Sequence, residues 1–122
     1  MRVTLEDRAL VLADPSGVIR VWSAGAEALF GHRAEDAIGQ TLDLVVPPDY
    51  RQRHWAGYGA AMAANDGDID HGSFNVPALH RDGTVMRIEV RLHVVHDSRN
   101  RVTGAMAVFS PDDDSAPPLE RL

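Results

Sequence analysis

His54 stands in the run Tyr50-Arg51-Gln52-Arg53-His54-Trp55-Ala56-Gly57-Tyr58, directly after the turn signal Pro47-Pro48-Asp49. A neutral imidazole is a common metal ligand, and it is the axial ligand of haem iron in several protein classes. On a helix, Tyr50, Tyr58, Ala61 and Met62 fall beside His54 by three- and four-residue spacing. That makes an apolar stripe with one basic nitrogen in it. Gly57 and Ala61 leave room for a flat macrocycle to approach the backbone. The plainer reading is a packing histidine whose imidazole hydrogen-bonds across the core. Trp55 reads as a core or interface aromatic. Arg51, Arg53 and His71 are the candidates for meeting acidic groups of a ligand such as haem propionates.

Other constellations say less. Glu89 and His93 share one strand face with Arg91 between them, two metal ligands without a third. No serine–histidine–acid order, phosphate loop or dinucleotide fingerprint is present, and the chain reads as a non-enzyme. It has no cysteine. That excludes disulfides, thiolate nucleophiles, a cysteinyl-flavin adduct, iron–sulfur clusters and haem attached through two cysteines. The net charge of -6 argues against nucleic acid and anionic membranes as partners. No stretch is long and apolar enough to cross a bilayer, which leaves a cytoplasmic location by default.

The elements that must position these residues follow from turns and periodicity. Ala9 to Ala13, the turn Asp14-Pro15-Ser16-Gly17 and Val18 to Trp22 read as a hairpin. Ser23 caps a short helix that Gly31 ends. Arg33 to Ile38 and Thr41 to Val46 are further short segments. Asp49 to Ala64 is the longest helical stretch. Gly57 and Gly59 oppose helix there, so both point to close packing against the backbone. Asn65-Asp66-Gly67-Asp68 ends it. Ser73 to Leu79, Thr84 to His96 and Val102 to Phe109 are strands, with Arg81-Asp82-Gly83 as a hairpin turn. In the middle strand Met86, Ile88, Val90, Leu92 and Val94 share one face. The reading is an α+β class: a five-stranded antiparallel sheet with helices packed on one face. Residues 1–110 form one domain and 111–122 an acidic, proline-containing tail.

The chain resembles the PAS domain family. The residues that carry the resemblance are Asp14-Pro15-Ser16-Gly17-Val18-Ile19, Trp22 to Gly31, Ile38-Gly39-Gln40, Arg81-Asp82-Gly83-Thr84 and Val102-Thr103-Gly104. The family's usual asparagine after Ala24 is Gly25 here. Tyr50 to His54 followed by Tyr58 is similar to the helix of haem-binding PAS domains in oxygen-sensing histidine kinases, with one extra residue before the aromatic. The resemblance implies that His54 is the proximal iron ligand. It also implies that Ile69, Val90 and Leu92 line the distal side. Phe74 stands where those kinases carry an oxygen-gating arginine. With haem b bound, Tyr58 and Ile88 join the pocket, and Met106 is a candidate second ligand. The implied function is a sensor of diatomic gases or redox state that signals as a homodimer or through a separate protein. The alternatives are a haem-free PAS dimerisation module and a small-metabolite sensor.

Overall fold

The computed structural model describes residues 8–63 and 70–111. Strands β1 (Ala9–Ala13) and β2 (Ile19–Trp22) form the expected hairpin. Its turn closes on Asp14, whose carboxylate accepts the backbone N–H groups of Ser16 and Val18 at 2.9 and 3.1 Å. Such a side-chain cap is the usual reason for an aspartate at a turn. Val18 itself leaves the strand and bridges to Thr41.

Ser23 then starts α1 (Ala24–Phe30). Its hydroxyl accepts from Ala26 N–H at 3.1 Å and from Leu10 N–H at 2.8 Å, so one side chain caps the helix and fixes it to β1. Gly25 has a packing reason. A Cβ at this position would overlap the backbone of Arg8, and no larger residue fits unless that segment moves.

A four-residue helix, α2 (Ala34–Ala37), and single 3-10 turns at Leu42–Leu44 and Pro48–Tyr50 lead to α3 (Arg51–Ala63). The expected helix start at Asp49 is thus a tighter 3-10 turn, a common way for a helix to begin. Strands β3 (Asp70–Leu79), β4 (Val85–His96) and β5 (Val102–Pro111) complete the chain. Pro77 is tolerated in β3 because that strand is at the sheet edge. β5 runs through Pro111, which pairs with Ile88. Residues 112–122 and the expected turn at 65–68 lie outside the described residues.

The sheet is antiparallel throughout, in the order β2-β1-β5-β4-β3. Its helix-facing side carries a core of Val11, Ile19, Trp22, Ala26, Phe30, Ala37, Val45, Ala78 and Ile88. Phe30 stacks at its centre, 5.4 Å from the Trp22 ring and 5.0 Å from Phe109 in an edge-on arrangement.

The two glycines of α3 differ. Gly57 faces a cavity. Gly59 is exposed, and a Cβ there would meet nothing within 4 Å. Close packing therefore explains nothing at Gly59. Gly59→Ala is expected to raise stability by roughly 0.5–1 kcal/mol through helix propensity and a less flexible unfolded chain. A higher urea midpoint at unchanged slope is the readout. A lower midpoint would contradict the exposure described here.

Candidate functional site

A cavity of about 470 Å³ lies between α3 and the sheet. That is in the range of small-molecule and cofactor sites, roughly 300–1,000 Å³. Tyr50, Arg53, His54, Gly57, Tyr58, Ala61 and Met62 line it from the helix side. This is the i, i+3, i+4, i+7, i+8 stripe of a helix face. Val11 and Ala13 of β1, Phe74, Val76 and Ala78 of β3, Val90, Leu92 and Val94 of β4, and Ala105, Ala107 and Phe109 of β5 form the opposite wall.

Two features create the space. No residue of α3 is fully buried, because the helix stands away from the sheet. Beneath it, Ala13, Ala105 and Ala107 put small side chains where larger ones would fill the gap. The helix is held at this distance by polar anchors. Trp55 Nε1 donates to Asp43 Oδ1 at 2.7 Å. The Trp55 ring lies against Gly17, where any Cβ would overlap it and where φ is +81°. The Tyr58 hydroxyl donates to the carbonyl of Asp14. Burial, with the charge of Asp14, pushes the Tyr58 hydroxyl up to about 12, so it remains a donor at any physiological pH. Arg51 donates to the carbonyls of Val46 at 3.0 Å and Asp43 at 3.2 Å.

His54 lies within this anchored stretch. Its ring packs edge-on to Trp55 at 4.8 Å and tilted against Tyr58 at 5.8 Å. Burial pushes its pKa below the ordinary 6.5, and the Asp43 carboxylate offsets this only in part. The imidazole is therefore neutral at pH 7, the form that ligates metal. Its Nδ1 is enclosed with no hydrogen-bond partner among the described residues. A histidine serving only the core would normally satisfy such an atom.

His32 is also depressed, by burial and by the charges of Arg81 and His80. Both histidines take up a proton more readily when the chain is unfolded. Their stabilising contribution is complete above about pH 6.5 and is lost as the pH falls toward their folded values. The thermal midpoint is expected to drop between pH 7.5 and 5.5, and to drop less in His54→Phe. A midpoint that held steady or rose on acidification would contradict this.

Among the residues singled out in the sequence, His54, Tyr58, Phe74, Val90 and Leu92 line this cavity, and so does His93. Ile88 does not. It shares the face of Val90 and Leu92 but is sealed into the core at 2% exposure. Met106 does not either. It lies between the lining residues Ala105 and Ala107 and is not itself part of the lining. Arg51 is committed to backbone carbonyls, whereas Arg53 reaches the cavity wall. Ile69 and the side chain of His71 lie outside the described residues. Among those described, no three histidine or acidic side chains gather to hold a metal ion, so Glu89 and His93 gain no third partner. Sequence reading missed Tyr50's neighbour Val46 and the alanine floor. The i, i+2 spacing of Ala105, Ala107 and Phe109 was the available signal.

Among the described residues, no helix is long and apolar enough to cross a membrane. Comparison with known proteins places the fold. The family model described as PAS fold matches residues 5–111. An uncharacterized protein of Azorhizobium caulinodans is 33% identical over 70% of this chain and 12% of its own length. Sensor protein FixL of Bradyrhizobium diazoefficiens is 30% identical over 69% of this chain and 17% of its own. The chain thus spans less than a fifth of these relatives. The PAS domain of a protein from Colwellia psychrerythraea superposes with a TM-score of 0.72 at 26% identity, covering 88% of each chain. A light-oxygen-voltage domain solved with a flavin analogue shares the fold at a TM-score of 0.66 and 17% identity, over 89% of this chain and 81% of that one.

Proposed function

This chain belongs to the PAS fold family, and from that premise we propose that it is a haem-b-binding sensor of diatomic gases or redox state, acting in the cytoplasm, with His54 as proximal ligand. One observation carries the reading: a neutral imidazole with an enclosed, unpartnered nitrogen on the wall of an apolar cavity. The residues present fit the group. His54 supplies the axial nitrogen. Gly57 and Ala61 keep the helix face low beside it. Phe74, Val90 and Leu92 offer an apolar wall opposite.

Bound there, haem b supplies an iron centre with an open position for a small gas. The chain's own part is to hold, orient and exclude. Tyr58 and Trp55 fix the helix, and so fix the imbedded imidazole. The apolar wall keeps water and charge out of the site. Phe74 can donate no hydrogen bond, so the arginine-based switch of the oxygen-sensing kinases has no counterpart at this position. Response to a ligand would instead run through the packing of β4 and β5 against the cavity, and from the sheet to a second copy or a separate signalling protein.

The test is to produce the chain with haem supply and record its visible spectrum, then repeat with His54→Ala. An intense Soret band in the parent that is lost or strongly shifted in the variant is the expected result. No band despite haem supply would sink the proposal and leave a haem-free interaction module or a metabolite pocket. An unchanged band in the variant would remove His54 as ligand.

A further inference from the structure

We propose that Arg53 is a carboxylate anchor at the edge of the cavity, and that the cavity's occupant has an apolar body with an acidic group at the Arg53 end. This rests on the cavity being a ligand site, though not on the ligand being haem. Arg53 both lines the cavity and is exposed, which places it where the cavity meets solvent. Its guanidinium carbon lies 5.2 Å from the centroid of the Tyr50 ring, one helical turn back, so the ring supports the cation and limits its freedom.

The other cation of this segment is already engaged. Arg51 donates to Val46 and Asp43 carbonyls and faces the Asp43 carboxylate at 3.8 Å. Among the described residues Arg53 has no such carboxylate partner. Among the described residues lining the cavity, Arg53 is the only lysine or arginine.

A planar fork of donors suits a carboxylate, which it can bind through two parallel hydrogen bonds. Being at the rim, the pair forms without the large desolvation cost of a buried ion pair. The reverse orientation would drive the carboxylate into an apolar wall, where an unpaired charge is strongly disfavoured. Arg53 therefore fixes which end of an amphipathic acid enters first. Two sources share this chemistry: the propionates of haem and the carboxylate of a fatty acid.

The experiment compares haemin with its dimethyl ester by absorbance, and palmitate with its methyl ester by tryptophan fluorescence. Each is titrated into the parent chain, Arg53→Ala and Arg53→Lys, with folding checked by circular dichroism. At least one acid is expected to bind the parent about tenfold more tightly than its ester. Arg53→Ala should erase that preference, and Arg53→Lys should keep part of it. Palmitate showing the preference while haemin fails to bind would leave this proposal standing and remove the haem reading. A preference that survives in Arg53→Ala, equal binding of acid and ester by the parent, or binding of neither acid would overturn it.

Discussion

Phe30→Ala is expected to destabilise the domain by about 3–5 kcal/mol, the range for deleting a buried aromatic. Phe30 is fully inaccessible to solvent and meets both Trp22 and Phe109. Its removal takes away its own burial and also leaves two rings without their common partner. α1, which carries it, is only seven residues long. A helix of that length does not hold together without packing. Domains of this size have about 5–15 kcal/mol in all. The variant should therefore be largely unfolded or close to it at 37 °C, read by denaturant titration. A loss below about 1 kcal/mol would mean that the Trp22–Phe30–Phe109 stack is not the centre of the core. Phe30→Leu is the control, since it retains apolar volume and should lose markedly less.

Gly57→Leu is expected to act the other way, sparing the fold while closing the site. Gly57 is one turn beyond His54 on the cavity stripe. A leucine there gains helix propensity, roughly 0.8 kcal/mol relative to glycine. It also projects a branched side chain into the space a ligand needs. Any occupant must then push that side chain aside or bind over a shifted helix. Such overpacking costs about 1–3 kcal/mol, or roughly five- to 150-fold in affinity. Loss of ligand uptake at equal or higher thermal stability would confirm that the cavity is the binding volume. Undiminished uptake would place the ligand elsewhere. The effect is distinct from that of His54→Ala, which removes the proposed ligating atom and enlarges the volume rather than filling it.

The sheet was largely legible because its faces differ chemically. Along β4 the alternation of Ile88, Val90 and Val94 with Arg87, Glu89 and Arg91 survives as buried against more exposed positions. The turns at Asp14 and Asp82 were legible because an aspartate carboxylate closes each one locally. What the sequence could not separate was core from cavity. Ile88 and Val90 have the same type, strand and face, yet one is sealed in and the other borders the open space. That difference depends on how far α3 stands from the sheet. The distance is set by contacts far apart in the chain, Tyr58 with Asp14 and Trp55 with Gly17. Met106 lies outside the lining although its neighbours Ala105 and Ala107 are part of it.

The central pairing of the sheet also sets the order in which the molecule can assemble. β1 lies between β2 and β5, and Ala9 pairs with Phe109 from the opposite end of the domain. As the chain leaves the ribosome, the first hairpin must wait, with one long edge unpaired, until the last strand emerges. The β3–β4 hairpin, built from neighbours in sequence, can form as soon as β4 has emerged, without waiting for a distant partner. Closing the largest loop last makes for slow folding and a late, cooperative completion. An unpaired strand edge during that interval is an opening for association with other chains. A ligand that stabilises the cavity, whose wall includes both β1 and β5, would act as a clasp on this final step.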